Sequence, residues 1–144
     1  MTDMDALEAL VGEWTAEAAP PGSDELVRGE MTVEWLDGGG YLVQRTTMEN
    51  PVFPRTVAVI GPDRSGEKIV QHYFDSRGVA RVYDVAFEAG VLTLSRDDED
   101  FAQRFVGRFS DDGSAIEGAW ERSDHGGAWV HDFDLTYRRR QASR

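Results

Sequence analysis

Residues 27–48 read VRGEMTVEWLDGGGYLVQRTTM, and this stretch decides the fold. In its first half Val27, Met31, Val33 and Trp35 alternate with Arg28, Glu30, Thr32 and Glu34. A period of two is that of a strand with one apolar and one polar face. Asp37-Gly38-Gly39-Gly40 then interrupts the pattern. Glycine supplies the positive φ of a tight turn and aspartate bonds to the turn backbone, so the segment from Tyr41 onward returns as an antiparallel neighbour.

The same alternation of strand and turn runs along the chain. Ten stretches rich in β-branched and aromatic residues cover 13–19, 27–36, 41–48, 55–61, 67–75, 79–87, 91–97, 101–110, 115–123 and 128–138. Between them stand Asp/Gly turns such as Asp75-Ser76-Arg77-Gly78 and Asp111-Asp112-Gly113-Ser114. No segment long enough for a crossover helix separates the strands, which excludes a parallel sheet. Open edges on so long a meander invite aggregation, so the reading predicts an all-β fold, a single up-and-down antiparallel barrel of 8–10 strands. A short N-terminal helix precedes it: Met4, Leu7, Leu10 and Val11 lie at helical spacing, with Thr2 or Asp3 to cap and Gly12 beyond the end. One domain is expected over residues 1–144, with 139–144 as a flexible tail. The longer connections at 20–26, with Pro20 and Pro21, and 49–54, with Pro51 and Pro54, are expected as rim or lid segments.

The formal charge of −12 argues against a nucleic-acid partner, whose phosphates demand clustered Lys and Arg. The one basic cluster, Arg138-Arg139-Arg140 with Arg144, is read as a solvated end. The first twenty residues carry acids where a secretory signal carries bases, and no run approaches the roughly eighteen apolar residues of a spanning helix. No membrane partner and a cytoplasmic location are therefore expected. The chain has no cysteine, hence no disulfide and no thiolate metal site. His72, His125 and His131 lack metal-ligand spacing, and Asp97-Asp98-Glu99-Asp100 lacks the pattern of a calcium loop, so neither a metal nor a cofactor is expected.

Strand parity sorts the lumen of a small barrel from its outer surface. It places Val27, Met31, Val33 and Trp35 inside, with the Tyr41/Val43/Arg45 face of the third strand and the Ile69/Gln71/Tyr73 face of the fifth. Arg81 and Tyr83, Gln103 and Phe105, Ile116 and Trp120 follow, and in the last strand Trp129, His131, Phe133, Leu135 and Tyr137. The expected ligand-binding set is Trp35, Arg45, Gln71, Tyr73, Arg81, Tyr83, Gln103, Trp120, His131 and Phe133. This is a mainly apolar concavity with a few orienting polar groups. An interior arginine needs a partner, either a ligand carboxylate or an acid such as Asp75 or Asp84. His131, Tyr83 and Tyr73 are the candidate acid–base groups.

The segments LEALVGEW (7–14), EWLDGGGYLVQR (34–45), IGPD (60–63), QHYFDSRGVARVY (71–83), FAQRFVGRFSDDGSAIEGAWERS (101–123) and WVHDFDLTYRR (129–139) resemble a bacterial lipocalin-like, or calycin-like, family of unknown function. That family is distantly similar to fatty-acid-binding proteins and nitrobindins. The resemblance implies a barrel with a pocket and no settled activity. The nitrobindins would imply haem, but their GxWxGxG start is met here by Gly12 and Trp14 followed by Ala16 and Ala18, and the spacing of His131 to Arg138 departs from theirs.

Together these readings predict binding of a small hydrophobic molecule in the lumen, an acidic group near Arg81 or Arg45 being one option. The alternative is an enzyme that templates a hydrophobic biosynthetic intermediate for cyclisation or isomerisation. Haem binding ranks third. A homodimer would use open strand edges and outward Val82 and Val130.

Overall fold

The computed structural model describes residues 3–140. Its strands are β1 (Gly12–Ala19), β2 (Val27–Trp35), β3 (Leu42–Met48), β4 (Thr56–Pro62), β5 (Ile69–Asp75), β6 (Ala80–Glu88), β7 (Val91–Arg96), β8 (Phe101–Phe109), β9 (Ala115–Asp124) and β10 (Val130–Arg139). Each pairs antiparallel with its neighbours in the chain, and β1 closes on β10 in a register running from Trp14–Arg139 to Ala19–Asp134. The expected barrel is therefore present with ten strands and a continuous ladder. Closure leaves no free edge for the edge-to-edge pairing that a dimer was expected to use, although Val82 and Val130 do lie exposed on the outer face. The described residues contain no helix long and apolar enough to cross a membrane.

The N-terminal helix, Met4–Leu10, is a 3₁₀ helix. Its apolar residues Met4, Leu7 and Leu10 are spaced by three, which is one per turn in this narrower helix. The Asp3 carboxylate accepts from the Asp5 N–H at 3.0 Å and caps the start. Val11 is the C-cap rather than part of the apolar face, and Gly12 opens β1 with φ +138°.

This helix closes one end of the barrel. Leu7 and Trp14 beneath it are fully buried, and the Trp14 indole N–H donates to the Leu10 carbonyl at 2.9 Å. Arg139 holds the plug in place. Its guanidinium donates to the carbonyls of Ala9 (2.5 Å), Val11 (2.7 Å) and Gly113 (3.0 Å) and lies 4.2 Å above the Trp14 ring. A Cβ at Gly12 would stand 2.6 Å from that guanidinium, so the glycine makes the approach possible. This corrects the expectation of a solvated tail from 139 onward. Arg139 ends β10, and the Arg140 N–H still donates to the Glu13 carbonyl at 2.9 Å. Residues 141–144 of the expected tail lie outside the described residues.

Arg139→Ala removes three charge-assisted hydrogen bonds and a cation–π contact at once, and is expected to destabilise the fold by about 2–4 kcal/mol. Arg139→Lys should recover only part of this loss, because an ammonium cannot reproduce the planar fork. Urea unfolding of the three proteins checks both outcomes.

Candidate functional site

The end of the barrel opposite the 3₁₀ helix opens into a cavity of about 370 Å³. Its walls are mostly apolar, including Met31, Ile60, Leu92, Leu94 and Leu135, and Leu10 reaches it from the plug. Part of this space exists because side chains are missing. Gly107 and Gly118 face each other across β8 and β9, and the Phe105 ring lies against both. A Cβ on Gly118 would come within 2.4 Å of that ring and force it inward. Pro20 and Pro21 of the β1–β2 connection and Val52, Phe53 and Pro54 of the β3–β4 connection form the rim, as their proline-rich sequences predict. The Phe53 ring packs on Phe133 with centroids 5.3 Å apart, so the β3–β4 segment leans across the mouth.

One wall carries most of the polar groups, because β5 and β6 place Gln71 opposite Tyr83 and Tyr73 opposite Arg81. The Tyr83 hydroxyl donates to Gln103 Oε1 at 2.7 Å, and Arg81 Nη1 donates to the same oxygen at 3.2 Å. The Arg81 guanidinium also lies 5.3 Å over the Phe101 ring. Tyr73 donates to Asp75 at 2.8 Å, and Arg77 donates to the same carboxylate oxygen at 2.6 Å. The Asp75 side chain is wholly covered. The Arg77 guanidinium first, then the Tyr73 hydroxyl, hold its carboxyl well below the usual carboxylate range. Tyr73 is pushed well above the ordinary phenol value, by burial and then by the Asp75 carboxylate. Tyr83 is raised by burial against the opposing influence of Arg81. Both phenols therefore stay protonated at neutral pH and serve as hydrogen-bond donors.

Seven of the ten residues expected at the site line this cavity: Gln71, Tyr73, Arg81, Tyr83, Gln103, Trp120 and Phe133. Three do not. Arg45 points outward and pairs with Glu34 at 3.0 Å, because Trp35 pairs with Leu42 and Val33 with Gln44, so Gln44 and Thr46 take the inner face of β3. Trp35 packs at the plugged end, where its indole N–H donates to the Glu8 carboxylate at 2.5 Å. His131 is turned out by a β-bulge: the β9–β10 register shifts between His131 and Phe133. Such a bulge adds one residue and reverses parity, so Asp132 lines the cavity while His131 bonds Asp134 at 2.8 Å on the exposed face. Trp129 is likewise outside, beneath the Arg104 guanidinium at 4.3 Å.

Gln44, Thr46 and Tyr137 were absent from the expected set yet line the cavity. The signal for the first two lay in the hairpin. Leu36 and Tyr41 flank the Asp-Gly-Gly-Gly turn, and counting outward from them pairs 35 with 42, 33 with 44 and 31 with 46. Cross-strand partners share a face. Parity places Tyr137 inside, on the apolar face of the last strand, without assigning it to the ligand-binding set.

Among the described residues no histidine lines the cavity. The chain thus offers haem no imidazole ligand there, and the residues do not fit that group.

No family model matches this chain, and no curated protein matches it. Solved structures do. That of Rv2717c from M. tuberculosis aligns over 96% of this chain and 97% of its own, with a TM-score of 0.69 and 12% identity. That of a protein of unknown function from the DUF3598 family of Nostoc punctiforme aligns over 92% of this chain and 48% of that one, with a TM-score of 0.61 and 15% identity. At such identities the likeness concerns the fold alone, a closed ten-stranded antiparallel barrel.

Proposed function

We propose that the barrel binds one small molecule with an apolar body and an acidic head, the head meeting Arg81. The observation that carries this reading is the state of that guanidinium. Two arginines line the cavity, and the other, Arg77, is neutralised by Asp75. Arg81 has only the neutral Gln103 oxygen and the Phe101 ring. Asp75, named as a partner from the sequence, is saturated by Arg77 and Tyr73. Asp84, the second, lies on the outer face with Lys68 at 3.1 Å. Among the described residues no carboxylate, Asp132 included, stands within ion-pair distance of Arg81.

A half-buried charge without a counter-charge is unfavourable and is relieved by an anion. A carboxylate at Arg81 would sit beside the protonated Tyr83, and the apolar walls would cover the remainder of the molecule. Tight packing of Phe53 on Phe133 would exclude water once the ligand is inside.

Arg81→Met should lower the affinity for dodecanoic acid by roughly tenfold to a hundredfold, the range for losing a desolvated charge contact, while leaving dodecanol binding unchanged. Titration calorimetry reads both ligands, and equal affinity of the two proteins for the acid would sink the proposal. The variant without ligand should melt no lower than the wild type, since it loses an uncompensated charge. Binding of the acid should weaken as pH falls through the ligand's own carboxyl pKa, because only the ionised head is attracted to Arg81.

Phe53→Ala removes the ring that spans the mouth. Stopped-flow mixing should show association and dissociation both accelerated with little change in Kd, the signature of a gate rather than of a binding contact.

A further inference from the structure

Two hydroxyl groups in the lumen have no hydrogen-bond partner among the described residues. Tyr137 on β10 is 9% exposed and lines the cavity. Its hydroxyl bonds no side chain or backbone group, and burial alone pushes its pKa up, so it remains an O–H donor. Thr46 on β3 also lines the cavity, with its Oγ1 buried and unpartnered. The neighbouring polar side chains behave differently: Gln71 donates to Gln44 at 3.3 Å, Tyr73 to Asp75 and Tyr83 to Gln103. The Tyr137 oxygen is open to the cavity, unlike the sealed Thr46 Oγ1, and phenylalanine would fill the space of Tyr137 equally well. The hydroxyl therefore points to a ligand atom.

Its position says which atom. Arg81 is the second residue of β6 and lies at the mouth. Tyr137 pairs with Ala16 and Ile116, two residues before the Arg139 that secures the plug, and so stands toward the closed end. Around the ring of strands β10 is four steps from β6 and β3 is three. A molecule that touches both Arg81 and Tyr137 must span the lumen.

We propose, resting on the acid-binding reading above, that the ligand is an oxygenated acid. Its acid group lies at Arg81, and a hydroxyl or carbonyl oxygen well along its chain accepts a hydrogen bond from Tyr137. A plain fatty acid would leave the Tyr137 hydroxyl without a ligand acceptor, and the site would discriminate against it for that reason.

The test compares dodecanoic acid with hydroxydodecanoic acids whose hydroxyl is moved from mid-chain to the ω carbon, by titration calorimetry on the full chain. At least one hydroxy acid should bind the wild type about tenfold more tightly than the plain acid, the effect of one well-placed buried hydrogen bond. Tyr137→Phe should abolish most of that preference, read as the ratio of hydroxy-acid to plain-acid affinity in each protein, without lowering the melting temperature. Equal affinity of every acid for the wild type would mean that water alone serves the hydroxyls, and overturns the proposal. A preference that survives Tyr137→Phe overturns it too. These failures leave the acid-binding reading standing. That reading falls separately if dodecanoic acid fails to bind, or binds Arg81→Met as well as it binds the wild type.

Discussion

The ladder between β1 and β10 is the constraint on which the rest depends. Once these strands pair, every strand has an inside and an outside, and each interior residue has to be either packing or pocket. At the helix end the answer is packing. Trp14, Phe109, Leu7 and the 3₁₀ helix fill the lumen, and Arg139 ties the helix to the strand that closes the ring. At the other end the small residue Ala18 leaves room at the wall, and Gly107 and Gly118 let the Phe105 ring lie back against the sheet, so that a cavity remains. A single barrel thus contains a solid half and a hollow half.

The polarity of the hollow half follows from the same geometry. Antiparallel partners share a face, so Gln71 with Tyr83 and Tyr73 with Arg81 become one polar wall by register alone. Within that wall Asp75 takes up Arg77 and Tyr73, and this withdraws the lumen's covered carboxylate from Arg81. The unpaired guanidinium is thus a product of specific hydrogen bonding by its neighbours rather than of a lack of acids in the chain, whose formal charge is −12. Asp132 lines the cavity without reaching Arg81, and other acids are on the outer surface, where Glu34, Asp84 and Glu121 pair with Arg45, Lys68 and Arg104.

The barrel was legible in the sequence because its two signals, period-two alternation and Asp/Gly punctuation, are local and repeated ten times. The site was legible wherever alternation was strict. β6 and β8 each carry an apolar face broken by one or two polar residues, and Arg81, Tyr83 and Gln103 were found there. β3 has no such contrast: Leu42 and Val43 are both buried and its remainder is Gln, Arg and Thr, so only the hairpin register could separate Gln44 from Arg45. The β10 bulge is harder still. One extra residue between His131 and Phe133 exchanges His131 for Asp132 at the mouth, and nothing in Trp129-Val130-His131-Asp132-Phe133 marks where the ladder slips. Arg139 was missed for a different reason. Its three carbonyl partners come from the N-terminal helix segment and from the β8–β9 turn, which composition near the C-terminus does not reveal.

A hollow lumen with an unpaired guanidinium and unpartnered hydroxyls works against folding. Unfilled volume forfeits dispersion contacts, and each buried polar group without a partner loses hydration that nothing replaces. A barrel selected for stability alone would fill its open half with side chains and would carry phenylalanine at position 137. This chain does neither, while its plugged end shows that it can fill a lumen with buried side chains when packing is the only requirement. The same sequence therefore applies two rules to one barrel, and the boundary between them, along Leu10 and Ile116, is where structural core gives way to binding site.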